Sequence, residues 1–107
     1  MEFGQWLECI RTLHGHTDEV SELEFTEKHN LISCSDDNSI KIWNTISGEC
    51  IRTLTEHADG VLSLKVFAND TLVSSSFEII KVYELASGQC THTLDEHHDW
   101  VNGFCFI

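Results

Sequence analysis

The sequence predicts an all-β protein made of four-stranded antiparallel sheets repeated in tandem, and three observations carry that expectation. A segment that begins CIRTLHGHTDEV at Cys9 returns as CIRTLTEHADGV at Cys50 and as CTHTLDEHHDWV at Cys90, at spacings of 41 and 40 residues. Between the copies lie the runs SIKIW, ending at Trp43, and IIKVY, ending at Tyr83, in which apolar and polar residues alternate. No helical stripe of ~11 or more residues interrupts them. A period of about 40 residues suits helical hairpins or four-stranded units; the two-residue alternation decides for strands.

Taken in order, residues 9–13 are expected as an outer strand. Val20–Phe25, Asn30–Ser35 and Ile40–Asn44 follow, and Cys50–Leu54 closes the first complete sheet. Turn residues separate them: Asp36-Asp37-Asn38 and Ser47-Gly48. The second sheet is expected from 61–67, 71–75, 80–84 and 90–94, with turns at Asn69-Asp70 and Ser87-Gly88. Residues 100–107 would begin a third. The middle blocks, from Leu31 and from Leu72, align at a spacing of 41 as far as Ser33 and Ser74, and at 40 from Lys41 and Lys81 onward. One residue is therefore lost between Ser76 and Ile79. A turn absorbs such a loss, whereas within a strand it would flip every following side chain. The chain thus reads as one segment, 1–107, with repeats at 9–45 and 50–85 and a truncated third at 90–107.

Charge narrows the partners. The 107 residues carry 18 acidic and 6 basic side chains, a net −12. Such a surface repels phosphate backbones and anionic membranes, so neither nucleic acid nor membrane is expected as a partner. It favours basic proteins, and it serves solubility in any case. Five cysteines, an odd number, follow an acidic N-terminus without the basic-then-apolar pattern of a secretory signal. Reduced thiols in the cytoplasm or nucleus are the expectation.

The residue types also invite chemistry, and spacing argues against it. Neither His14-Gly15-His16 nor His97-His98 accompanies a Cys-x-x-Cys pair, so no metal or other cofactor is expected. Ser33, His16 and Asp37 have the types of a hydrolase triad. Yet Ser74 and His57 repeat two of them, and no Gly-x-Ser-x-Gly turn is present. No catalytic residue is expected.

Gly15-His16, Asp18, Val20 and the run SCSDDNSIKIWN, ending at Trp43-Asn44, together resemble the WD-repeat family. The name-giving Trp-Asp pair reads Trp43-Asn44 in the first repeat and Tyr83-Glu84 in the second. The resemblance spans about 9–107 and implies an incomplete β-propeller whose blades are the sheets above. It also implies a buried hydrogen-bonded set in each blade. That set falls on His16, Ser33, Asp37 and Trp43 in the first repeat, and on His57, Ser74 and Tyr83 in the second. The second lacks the aspartate, because Phe77 or Glu78 occupies the shortened turn, and is expected to be less well fixed.

By the same resemblance, a rim that binds proteins or peptides falls on Thr17, Glu19 and Asp36, with Ala58 and Gly60 as small counterparts and His98 and Trp100 in the third repeat. Trp100 suits either an interface anchor or packing between blades; Trp6 has no repeat counterpart. The implied function is a non-catalytic protein-interaction scaffold, and acidic Glu19 and Asp36 would select a basic ligand. Two alternatives are a substrate-recognition segment of a ubiquitin ligase and a structural fragment without its own ligand. The first is weakened because Trp43-Asn44-Thr45-Ile46 lacks an arginine two residues after the pair. A propeller closes by joining its last blade to its first. The spare outer strand here and the spare inner strand would need two further middle strands, so the remaining blades of a longer propeller, or self-association, are further expected partners.

Overall fold

The computed structural model describes residues 9, 11–68, 70–77 and 79–94. Eight strands form two four-stranded antiparallel sheets, each a simple meander. The first holds β1 (Val20–Phe25), β2 (Asn30–Ser35), β3 (Ile40–Asn44) and β4 (Cys50–Leu54). The second holds β5 (Ser63–Phe67), β6 (Thr71–Ser76), β7 (Ile79–Glu84) and β8 (Gln89–Leu94). The sheets are consistent with blades of an incomplete propeller.

The four first-sheet strands match the expected ranges, and three second-sheet strands shift by one residue at an end. Two departures have physical causes. Val61 does not join β5, because its amide donates across to the Ser35 carbonyl of the first sheet at 3.0 Å, whereas the Leu62 amide already reaches the Ser75 carbonyl of β6 at 2.8 Å. The chain crosses between the sheets at Val61, and β5 begins at Ser63. The described residues of 9–13 are not a strand, since no described strand lies beside them to complete a ladder. The expected strand at 100–107 lies outside the described residues.

Turn chemistry fixes the register. Asn44 accepts from the Ile46 and Ser47 amides through Oδ1, at 2.8 and 3.0 Å, and caps the β3–β4 turn. Its amide oxygen does there what a carboxylate would do, so the asparagine in the repeat's last dipeptide costs the turn nothing. Asn38 (φ 72°) and Asp70 (φ 57°) take left-handed positions that asparagine and aspartate tolerate well. The core is one cluster fed by both sheets. Ile32, Cys34, Ile40, Ile42 and Leu54 meet Val61, Leu64, Leu72 and Tyr83.

Besides the Val61–Ser35 bond, polar side chains among the described residues join the sheets at three places. At the outer side, Arg52 of β4 donates to the Ser87 and Ala86 carbonyls of the β7–β8 turn, at 2.9 and 3.3 Å. Arg11 grips the Ser47 and Ile46 carbonyls of the β3–β4 turn in the same way. At the inner side, Glu22 and Glu24 of β1 accept from the Leu64 and Val66 amides of β5, at 2.9 and 3.2 Å. At the turn end, Lys28 pairs with Asp70 at 3.3 Å, exposed and worth little.

Each arginine lies over a glycine. Gly48 (φ 82°) and Gly88 (φ 76°) are left-handed, and a Cβ on Gly88 would collide with Arg52. Gly88→Ala is therefore expected to cost about 1–2 kcal/mol, part from φ and part from the clash. Urea midpoints should show the clash part vanish in the Arg52→Ala background, as a double-mutant coupling. Strictly additive costs would contradict the clash.

Candidate functional site

The two sheets place their polar side chains beneath the β2–β3 and β6–β7 turns. In the first sheet, β2 presents Ser33, β3 presents Trp43 one strand over, and the segment before β1 brings His16. The indole N–H can only donate, and Trp43 Nε1 gives it to Ser33 Oγ at 2.9 Å. Ser33 Oγ therefore donates onward to His16 Nε2 at 2.7 Å, and the Nδ1–H of His16 reaches Asp37 Oδ2 at 2.8 Å. That oxygen also accepts from the Thr17 amide at 2.9 Å. The other carboxylate oxygen accepts from the amide and hydroxyl of Ser39, at 2.9 and 2.5 Å.

Burial would raise the Asp37 pKa, but the Ser39 hydroxyl, the Thr17 amide and His16 together hold it well below the usual carboxylate range. Gly15 is tight against this set, since a Cβ there would stand 3.0 Å from the Trp43 ring. Beneath it, burial, helped by the Glu22, Asp36 and Asp37 charges, pushes the Cys34 thiol up to about 12. That makes it a packing group and not a nucleophile.

The second sheet brings together fewer groups. His57 Nε2 and Ser74 Oγ are 2.7 Å apart. His57 Nδ1 and the Tyr83 hydroxyl are buried and have no hydrogen-bond partner. Tyr83 fills the indole's volume at 1% exposure, but its hydroxyl sits elsewhere than an indole N–H and does not complete the bond to Ser74. Burial pushes the Tyr83 phenol upward, and the nearby Ser74 hydroxyl only tempers that. Burial, reinforced by the Lys81 charge, lowers the His57 pKa to about 4, against a weaker opposing pull from Asp59.

The rim candidates of the first sheet stand together above this set. Thr17, Glu19 and Asp36 are exposed. The Asp36 amide donates to the Glu19 carbonyl at 2.9 Å, and Thr17 is held by Asp37. Gly60 lets the second sheet approach, because a Cβ there would stand 3.0 Å from the Asp36 Cα. Asn38 Nδ2 ties the turn to the Ala58 carbonyl at 3.2 Å. Trp6, His98 and Trp100 lie outside the described residues. Among the described residues, no three histidine, cysteine, aspartate or glutamate side chains converge on one point where a metal could bind.

Sequence reasoning did not single out the joint residues. Arg11 and Arg52 stand 41 apart in the repeated CIRTL, a signal that was available; the third copy has His92 there. Glu22 and Glu24 left no such signal, because their repeat counterparts are Ser63 and Lys65.

A family model described as WD domain, G-beta repeat matches residues 7–44 and 48–78. The COMPASS component SWD3 of Saccharomyces cerevisiae is 38% identical over 68 residues, which covers 63% of this chain and 22% of that protein. A guanine nucleotide-binding protein subunit beta of Arabidopsis thaliana is 39% identical over 44 residues, 40% of this chain and 12% of its own. The WD repeat-containing protein 89 homolog of Dictyostelium discoideum is 44% identical over 41 residues, 37% and 11% respectively. The chain thus spans between 11% and 22% of these relatives' length. With two matched repeats and two sheets of the corresponding architecture, the chain belongs to the WD-repeat family.

Proposed function

We propose that this chain is a non-catalytic, intracellular interaction module that holds a basic protein or peptide on the rim formed by Thr17, Glu19 and Asp36. Repeats of this family generally scaffold protein–protein interactions and are generally non-catalytic. The observation that carries the rim reading is the division of labour around Asp37. The Asp37 carboxylate, His16, Ser33 and Trp43 bond inward to one another. Thr17, Glu19 and Asp36 are fixed beside them and face solvent. A hydroxyl committed to an indole and an imidazole is a structural group, and exposed carboxylates carried on a hydrogen-bonded main chain are a recognition surface for positive charge. On this reading 9–45 and 50–85 are two complete repeats, and 90–107 starts a third that adds His98 and Trp100 to the same rim.

The test is affinity selection of partners on immobilised chain, comparing wild type with Asp36→Lys and Trp100→Ala. Loss or exchange of partners in Asp36→Lys is expected, most strongly at low salt. Identical partner sets for all three chains would leave only a structural element without a ligand of its own.

A further inference from the structure

We propose that the Asp59–Gly60 bond is a self-modification site, at which the Gly60 nitrogen closes on the Asp59 side chain and the main chain is rerouted through that side chain as an isoaspartate. The bond lies in the connection between β4 and β5, with a described sheet on either side. Asp59 is exposed. Among the described residues, neither its carboxylate nor the Gly60 amide has a hydrogen-bond partner. The other described aspartates are committed or hindered. Asp37 accepts from Thr17 and Ser39 and bonds to His16, Asp70 pairs with Lys28, and the amide that follows Asp36 donates to Ser35 Oγ. Asp18 is the repeat counterpart of Asp59, and its Oδ1 lies 2.8 Å from the next amide nitrogen, that of Glu19. This loop therefore brings a carboxyl group within reach of the following nitrogen. In the first repeat the glutamate side chain crowds that nitrogen; in the second, glycine has no Cβ to shield it.

The chemistry balances with water alone. The Gly60 nitrogen bonds to Asp59 Cγ; its proton and the hydroxyl of the protonated carboxyl leave as water, and a five-membered imide remains. Water then adds to one imide carbonyl and breaks its bond to the nitrogen. Opening at Cγ restores the original chain. Opening at the main-chain carbonyl frees that carbon as a carboxylate and leaves the chain running through Cβ and Cγ, one carbon longer. Two contacts bracket the altered bond. The Ala58 carbonyl accepts from Asn38 Nδ2 at 3.2 Å, and the Val61 amide donates to the Ser35 carbonyl at 3.0 Å. Between them Gly60 packs so close to Asp36 that a Cβ would stand 3.0 Å from its Cα. Anchors set for the original length cannot both hold the longer chain, so the change loosens the crossing between the sheets.

Prolonged incubation of the whole folded chain at neutral pH, followed by peptide mapping that separates aspartate from isoaspartate by fragment masses, tests this. Isoaspartate at Asp59 is expected to exceed that at Asp18 or Asp70 by about tenfold or more. Asp59→Glu keeps the charge but would need a six-membered ring, and should stay unconverted. Asp59→Asn reaches the same imide by losing ammonia, and should convert faster with the mass gain of deamidation. Asn102-Gly103, outside the described residues, falls in a different peptide and also gains mass, so it is not confused with Asp59. In the converted fraction, amide exchange at Val61 should quicken by about tenfold. Equal isoaspartate at the three aspartates would overturn the proposal, as would conversion only after urea has unfolded the chain. Unchanged exchange at Val61 in the converted fraction would overturn the loosening.

Discussion

Ser33→Ala is expected to destabilise the chain by about 2–6 kcal/mol, roughly twice the cost of Ser74→Ala. The reason lies in the number of groups each hydroxyl serves. Removing Ser33 Oγ strands the Trp43 indole N–H and His16 Nε2 together, both already withdrawn from water. A buried polar group without a partner costs about 1–3 kcal/mol. Ser74 serves only His57 Nε2 by a direct hydrogen bond, because the Tyr83 hydroxyl is already unpartnered. Against total stabilities of about 5–15 kcal/mol for a domain, the Ser33 change approaches the whole margin. Urea unfolding of both variants checks the ratio. Equal losses would mean that the Trp43 indole finds another acceptor and that the four residues do not act as one set.

The second large effect is a loss of stability between pH 6.5 and about 4. His57 is buried and its pKa falls from 6.5 to about 4. Between those values the unfolded chain takes up a proton that the folded chain refuses, so folding weakens as pH falls. Full stability is present above pH 6.5. The shift amounts to about 3 kcal/mol once the pH reaches the folded value, at roughly 1.4 kcal/mol per tenfold change. Asp37 acts in a different window. Its pKa is depressed from 3.8, so its contribution is intact above that value and is lost only at lower pH. His57→Leu should remove the upper slope and leave the lower one. A wild-type midpoint that stays flat from pH 6.5 to 4 would show that the folded protein accepts the proton on His57.

Much of the fold was legible because repetition writes each element more than once. The alternation in SIKIW and IIKVY, punctuated by Asp36-Asp37-Asn38 and Ser87-Gly88, located β3, β7 and their turns. What alternation cannot express is whether a strand has a neighbour. Residues 9–13 carry the same letters as β4 but have no described ladder to join, and Val61 spends its amide on Ser35 instead of on its own sheet. The meeting of His16, Ser33, Asp37 and Trp43 came from the family resemblance. These residues lie 10 to 21 positions from their partners, too far apart for local pattern to connect them. Glu22 and Glu24 were illegible for the opposite reason. They read as ordinary solvated charges of a half-exposed strand, and only the folded joint shows them covering another strand's amides.

That joint also has a direction. Arg52, Glu22 and Glu24 all belong to the first sheet, and all bind groups of the second. A chain leaving the ribosome therefore completes the gripping half before the half to be gripped has emerged. The gripping side chains are thus made first, while the core that the two sheets share closes only when the later repeat arrives. A lesion at Arg52, Glu22 or Glu24 would therefore weigh on the repeat that follows the one carrying it.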